Sequence, residues 1–176
     1  MNPSTSQVDP QESTLWQQWA DAAVRPDISA ALTALYADID TAVRAKGPTC
    51  WTSGKCCKFD TFQGGHLLYV TGLEIAWMLA QSQTIQTGLN PSNVGLEGAC
   101  AFQSKGMCSV HTVRPLGCRI FFCQQGTQDW QQHLYEQFLT TLRTMHDEQG
   151  IEYRYMEWRS GLQRAAMCGL WSPAER

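Results

Sequence analysis

The sequence has little charge and no long apolar run. Charged residues make up 16% of the chain, the 13 Lys and Arg against 16 Asp and Glu leave a net charge of -3, and no basic cluster occurs. We therefore expect no binding to nucleic acid or to an anionic membrane surface. No stretch of about 18 apolar residues is present, and residues 1–10 lack the basic and apolar segments of a signal peptide. These absences predict a cytoplasmic protein without membrane contact.

Several catalytic motifs are also missing. The chain contains no Walker loop, no H-E-x-x-H helix and no Ser, His and Asp in a recognisable triad order. A Gly-rich turn of the Rossmann type is absent as well. Hydrolytic and nucleotide-driven functions therefore lack support, whereas a metal-dependent enzyme stays open.

Length and composition predict one mostly α domain. The chain has 176 residues, 43% of them hydrophobic, which is enough for a single core. Residues 1–12 are polar and without periodicity, so we expect a disordered tail before a single domain over residues 13–176. We predict a compact, mostly α domain with long irregular cysteine-rich loops, and the pattern leaves room for one or two short strands.

Apolar residues at spacings of three and four predict the helices. A first, short helix is expected to end at Pro26, and Asp27 is expected to cap the next one. Residues 71–74 read Thr-Gly-Leu-Glu, a capping box that begins a third helix. His66–Val70 and Ile151–Tyr155 are expected as short strands or extended segments. The helices after the first are predicted over residues 27–46, 72–81, 128–149 and 156–167.

The cysteines are concentrated in one part of the chain, since seven of the eight fall within residues 50–123. Thiols stay reduced in the cytoplasm, so such a cluster indicates a metal site rather than a disulfide framework. Zinc and iron-sulfur clusters are the common cytosolic species that take several thiolate ligands. The candidate ligands are Cys50, Cys56, Cys57, Cys100, Cys108, Cys118 and Cys123, with His111 as an eighth donor.

The spacing of these residues leaves the metal undecided. Four ligands satisfy either a zinc ion or an iron-sulfur cluster, so eight donors suffice for two zinc ions or for one cluster with spare cysteines. Neither the paired C-x-x-C of zinc fingers nor the cysteine run of ferredoxins occurs. Adjacent residues rarely present both side chains to one ion. Cys56 and Cys57 therefore either serve two metal atoms, or one of them ligates while the other packs.

At these positions the sequence resembles the YkgJ-like cysteine-cluster family, a zinc- or iron-chelating domain. The family pattern opens with C-x-x-C-x-x-C-C, which Cys50, Cys56 and Cys57 match, but Ser53 stands at the second cysteine. The later half of the pattern is matched by Cys100, Cys108, Ser109, Val110, Arg114, Pro115, Cys118, Arg119 and Cys123, with His111 in place of a tyrosine. The resemblance covers residues 50–123. It implies chelation of zinc or iron, with an iron-sulfur cluster as one form.

Three functions remain open after this resemblance. They are a metal-binding protein, a metal-dependent enzyme acting on protein or in redox chemistry, and a scaffold in which the metal only stabilises the fold. Flagellin lysine N-methylases carry a similar cysteine cluster, but no site for a methyl donor is visible in this sequence. Either the thiol missing at Ser53 is replaced by His111, by water or by a substrate, or a ligand at that position is not required. An open coordination position is typical of catalytic zinc. The predicted partner is the metal ion, and the sequence leaves open whether there is also a protein partner.

Two arginines flank Cys118 in the motif. Guanidinium groups close to several thiolates would offset their negative charge and hold the ligands in place, which is the role we predict for Arg114 and Arg119. The alternative is that these arginines lie on the surface or brace a loop. Cys168 is far from the other cysteines and is more typical of a small buried hydrophobic residue.

Overall fold

A computed structural model of the chain describes residues 9–50, 54–59, 67–84 and 99–170, and this part is mostly helical, as the sequence predicts. None of its helices has the length and apolar character needed to cross a membrane. The helices within the described residues are α1 (Pro10–Ala23), α2 (Pro26–Lys46), α3 (Gly72–Thr84), α4 (Leu116–Ile120), α5 (Gln128–Glu148) and α6 (Trp158–Met167).

Two short antiparallel pairs accompany the helices. Strand β1 (Tyr69–Thr71) pairs with β4 (Tyr155–Glu157), and β2 (Gln103–Ser104) pairs with β3 (Met107–Cys108). The predicted strand at residues 151–155 is wrong in position, because only its last residue lies in β4. The β2–β3 hairpin was not predicted. Its two-residue turn has positive φ at both positions, 50° at Lys105 and 80° at Gly106, which suits a tight hairpin.

The starts of the first two helices differ from the prediction. Helix α1 begins at Pro10, so the last residues of the predicted tail are helical, while residues 1–8 lie outside the described part. Asp9 caps this helix by accepting the Gln11 N–H at 2.9 Å. Pro26 occupies the first turn of α2, where its missing N–H has no cost, and Asp27 pairs with Arg25 at 2.6 Å instead of capping.

The core is formed mainly by α1 and α2 packing on α3, α4 and α5. Trp16 and Trp19 of α1 are both 1% exposed and meet edge to face with ring centroids 5.0 Å apart. The Trp19 indole N–H donates to the Glu152 carbonyl at 2.9 Å, so its one polar atom is satisfied. A Cβ at Gly72 would lie 2.3 Å from the Trp19 ring, so α1 and α3 can approach this closely only with glycine there.

The capping box at residues 71–74 is confirmed and does more than begin α3. Glu74 Oε2 accepts the Thr71 N–H at 2.9 Å, and the Glu74 N–H donates to Thr71 Oγ1 at 3.2 Å. The other carboxylate oxygen, Oε1, accepts the Leu116 N–H at 2.9 Å and the Tyr36 hydroxyl at 3.2 Å. Burial raises the pKa of Glu74, and these donors oppose that effect. One carboxylate thus joins α2, α3 and the start of α4.

Candidate metal centre

The seven thiols predicted as ligands all line one cavity of about 310 Å³. The described residues that line it come from 49–50, 54–59, 100–111 and 114–123, together with Leu68, which precedes β1, and Trp158 of α6. His111 and Arg114 line the same cavity. The fold therefore brings together the three cysteine-bearing segments that the sequence separates. The lining cysteines are Cys50, Cys56, Cys57, Cys100, Cys108, Cys118 and Cys123.

The turn that carries Cys56 and Cys57 is fastened to the segment around Cys100. Residues Lys55–Cys57 form one turn of 3₁₀ helix, and the Cys57 carbonyl accepts the Cys100 N–H at 2.8 Å. Gln103 Nε2 donates to the Gly54 carbonyl at 2.7 Å. Gly54 has φ 65°, and a Cβ there would lie 2.3 Å from the Gly106 carbonyl oxygen. The close approach of the turn to the β2–β3 hairpin therefore requires glycine at this position.

A serine holds Cys108 near Cys100. Both the N–H and the hydroxyl of Ser109 donate to the Phe102 carbonyl, at 2.8 Å and 2.9 Å. These two hydrogen bonds to one acceptor hold Ser109, the residue after Cys108, against Phe102, two residues after Cys100. The serine of the motif therefore has a structural task in setting the path of the thiol-bearing segments.

Cys118 lies on α4, whose first residue is held by Glu74 through the Leu116 N–H. A Cβ at Gly117 would lie 2.5 Å from Leu68 Cδ1 and 3.3 Å from the Tyr69 carbonyl oxygen, so α4 lies tightly against the segment that leads into β1. Desolvation raises the pKa of the Cys118 thiol well above its ordinary value. Without a metal, this thiol is therefore protonated at neutral pH.

The segments of Cys50 and Cys123 also meet. The Thr49 N–H donates to the side-chain Oε1 of Gln124 at 2.8 Å, which joins the two segments one residue from each cysteine. Gln131 of α5 then fixes Phe122: its Oε1 accepts the Phe122 N–H and its Nε2 donates to the Phe122 carbonyl, both at 3.0 Å. One side-chain amide thus satisfies both backbone groups of the residue before Cys123.

Three of the thiols form a chain of sulfur contacts. Cys56 Sγ and Cys57 Sγ are 3.9 Å apart, and Cys57 also hydrogen-bonds with Cys100. These bonds, first that to Cys100, raise the pKa of Cys57 because they favour its protonated form. The bond from Cys57, aided by the charge of Arg114, lowers the pKa of Cys56 to about 6. The pKa of Cys100 is lowered by its bonds to Cys57 and to the Trp158 indole N–H, which lies 3.3 Å from the sulfur.

The donor set has the chemistry for zinc or iron, but not a preformed site. Two sulfurs bound at about 2.3 Å to a tetrahedral zinc ion lie about 3.8 Å apart, and the 3.9 Å between Cys56 and Cys57 is close to that. Within the described part of the chain, however, no group of three or more His, Cys, Asp or Glu residues is arranged so that it could hold a metal ion. Desolvation raises the pKa of Cys108 to about 11, so binding a metal there would release a proton.

His111 is engaged by Arg114 rather than by a thiol. Arg114 Nη1 lies 2.7 Å from His111 Nε2, and because a guanidinium can only donate, Nε2 must accept. Desolvation and then the charge of Arg114 lower the pKa of His111, so the imidazole is neutral at pH 7. Because the Nε2 lone pair already accepts this hydrogen bond, His111 could bind a metal only through Nδ1 or after the bond to Arg114 breaks. His111 stays a candidate ligand.

Arg119 does not line the cavity, in contrast to Arg114. It is 3% exposed, and its guanidinium donates to Asp40 Oδ2, the Thr112 carbonyl and the Arg114 carbonyl, each at 2.7 Å. It also lies over the Tyr36 ring at 4.3 Å. It therefore braces the turn at residues 112–114, which is the alternative that the sequence left open. That Arg119 also offsets thiolate charge stays a prediction.

The remaining sequence candidates lie outside the cavity or outside the described residues. Cys168 follows α6 and packs beside the core without lining the cavity. Ser53 falls in the undescribed residues 51–53, so its predicted role is untested. Sequence reasoning missed Gln131 and Trp158, which support Cys123 and Cys100. A Gln or Trp at helical spacing is indistinguishable from an ordinary surface or core residue, so no local signal could have found them.

Comparison of the sequence with family models and with curated proteins, and of the structure with solved structures, gives no match. The resemblance to the YkgJ-like family thus stays a prediction that depends on the motif residues.

Proposed function

We propose that this chain is a metal-binding protein that chelates zinc or iron, the latter also as an iron-sulfur cluster, through its cavity thiols. One observation carries the proposal: seven cysteines from three separated segments line the same cavity. All eight cysteines are free thiols, which agrees with a reducing compartment such as the cytoplasm, the location that we propose. No disulfide competes with the metal for these sulfurs.

The thiols that support the proposal most directly are Cys56, Cys57 and Cys100, because their sulfurs are already in contact. The Trp158 N–H would remain as a donor to the Cys100 sulfur and would orient it as a ligand. A bound metal would supply a multivalent link between loops that otherwise depend on a few hydrogen bonds, and its binding free energy would add to that of folding.

A metal-dependent enzyme is the second candidate, and the size of the cavity favours it. At about 310 Å³ the cavity falls in the range of small-molecule sites, far more than one ion requires. A metal that only stabilises the fold would not need a cavity of this volume. We propose no specific reaction, because in the described part of the chain only the thiols, His111 and Arg114 bring acid–base or nucleophilic groups to the cavity wall.

Purification without oxygen, elemental analysis and an absorption spectrum test the proposal. We expect at least about one equivalent of zinc or iron per chain, with broad visible absorption only if an iron-sulfur cluster is present. Less than about half an equivalent of any transition metal would refute metal binding.

Single substitutions of the thiols give the site-specific test. Cys118→Ser and Cys123→Ser should lose metal and melt at a lower temperature, because each removes a ligand and the folding energy that metal binding adds. Cys168→Ser is the matched control, since its thiol lies outside the cavity and its metal content should not change. Unchanged metal content and melting temperature in both cavity variants would contradict the assignment.

A further inference from the structure

The cavity has more room than the proposed metal fills. A volume of about 310 Å³ corresponds to about ten waters at their liquid volume, and one ion replaces only about one of them. Beside the thiols, the wall is apolar: Phe59, Val110 and Trp158 are at most 2% exposed and form its floor. Met107 is 63% exposed and lies at the rim. An apolar wall with a few polar groups is typical of a site for a small organic ligand.

Among the described residues, Arg114 is the one permanently charged residue on this wall, since no other Arg and no Asp, Glu or Lys of that part of the chain lines the cavity. Its Nη1 donates to His111 Nε2 at 2.7 Å, so this donor is occupied. Its Nε is buried and has no hydrogen-bond partner among the described residues. A buried donor left unpaired costs about 1–3 kcal/mol, so an acceptor is missing at this atom.

The side of the Arg114 guanidinium that does not contact His111 indicates which kind of acceptor fits. With Nη1 occupied, the edge formed by Nε and Nη2 remains, and its two parallel N–H donors match the two oxygens of a carboxylate. A phosphate dianion would call for further cations, and the described residues of the wall supply none. The neutral apolar floor, in turn, favours a ligand with a hydrocarbon body over one with a second charge.

We propose that the cavity binds a small aliphatic carboxylate beside the metal, with its oxygens on Arg114 and its hydrocarbon part against Phe59, Val110 and Trp158. This inference rests on the proposed function in that it describes a second ligand of the same site. It gives the enzyme alternative a substrate class, a carboxylic acid with an apolar body held next to a thiolate-bound metal.

The test uses hexanoate as the probe and compares it with hexanol and hexylamine, two compounds of the same chain length without a carboxylate. Binding to the full, metal-containing protein is followed by NMR through the Trp158 indole N–H, which belongs to the cavity wall. Hexanoate should bind at least about tenfold more tightly than hexanol or hexylamine, since only a carboxylate can form the two charge-assisted hydrogen bonds with the guanidinium. Arg114→Gln should remove the preference for hexanoate. Arg114→Lys keeps the positive charge but lacks the two parallel N–H donors, so it should weaken hexanoate binding about tenfold.

The matched control is Arg154→Gln, which changes an exposed arginine that does not line the cavity and should leave hexanoate binding unchanged. Equal binding of hexanol and hexanoate, no binding of hexanoate, or wild-type affinity in a folded Arg114→Gln variant would overturn the inference. If neither Arg114 variant folds, the wild-type preference among the three probes decides alone.

Metal analysis of the same samples separates this inference from the proposed function. Hexanoate selectivity that depends on Arg114 in protein with less than about half an equivalent of metal would refute metal binding and support the carboxylate site. A full equivalent of metal without hexanoate selectivity would support metal binding and refute the carboxylate site.

Discussion

Replacement of Arg119 by methionine should destabilise the domain strongly although Arg119 does not line the cavity. The side chain of Arg119 is 4% exposed, and its bonds to Asp40 and to two backbone carbonyls are each 2.7 Å long. Methionine is similar in length but has no donor, so all three acceptors lose their partner. Breaking a buried charge pair on one side costs about 3–5 kcal/mol. Asp40 is 34% exposed and can recover water, so we expect the lower end, about 3 kcal/mol.

Urea unfolding and calorimetry measure this effect. A loss of about 3 kcal/mol corresponds to a fall in melting temperature of about 6–12 °C for a chain of this size. Arg154→Met is the matched control, because its pair with Glu152 has side-chain exposures of 45% and 53% and should contribute less than about 1 kcal/mol. If both variants lose the same small amount, Arg119 does not brace the turn at residues 112–114, and the proposed origin of the loop geometry is wrong.

Three further substitutions test other contacts. Gln131→Leu should lower the free energy of unfolding by about 1–3 kcal/mol, because both backbone groups of Phe122 lose their partner. Trp158→Phe should weaken metal binding about tenfold in competition with a chelator, because the Cys100 sulfur loses its N–H donor. Burial lowers the pKa of His146, and its Nε2 has no hydrogen-bond partner in the part of the chain that the structure describes, so the unfolded chain takes up the proton first. As the pH falls below about 6.5, stability should therefore fall by up to about 1.4 kcal/mol per pH unit, and His146→Phe should remove this slope.

Each of these variants has a neighbour that serves as its control. Gln132→Leu changes the next, exposed residue and should alter stability by less than about 0.5 kcal/mol. Trp77→Phe also removes an indole N–H bond, to Ser29 at 3.1 Å, but lies outside the cavity and should keep the metal affinity. His133→Phe removes an exposed imidazole and should keep the pH slope. Equal effects in a variant and its control would refute the corresponding contact.

The helices could be predicted because their signals are local. The apolar stripe of α2, the Gly47 that ends it with φ 60°, and the capping box before α3 each lie within a few residues of the element they specify. The five residues of α4 are too few to show a period, so this helix was missed. The β2–β3 hairpin has only two residues in each strand and was missed for the same reason.

The cysteines of the cavity could be predicted as a set, but their supports could not. Shared chemistry and spacing single out the thiols, whereas the contacts that position them join distant parts of the chain. Thr49 reaches Gln124 across 75 residues, and Glu74 reaches Leu116 across 42. The two arginines of the motif are equivalent in sequence, and only the packing against Asp40 and Tyr36 separates Arg119 from the cavity-lining Arg114.

The carboxylate of Glu74 accepts backbone N–H groups at the start of two helices, from Thr71 before α3 and from Leu116 in α4. Two helix starts that depend on one acceptor cannot fray independently, because opening either of them disturbs the bond to the other. The amide protons of Thr71 and Leu116 should therefore exchange with solvent through a common opening event, as members of one cooperative unit. Because Leu116 begins α4, which carries Cys118, the motion of this thiol-bearing segment should be coupled to the opening of α3.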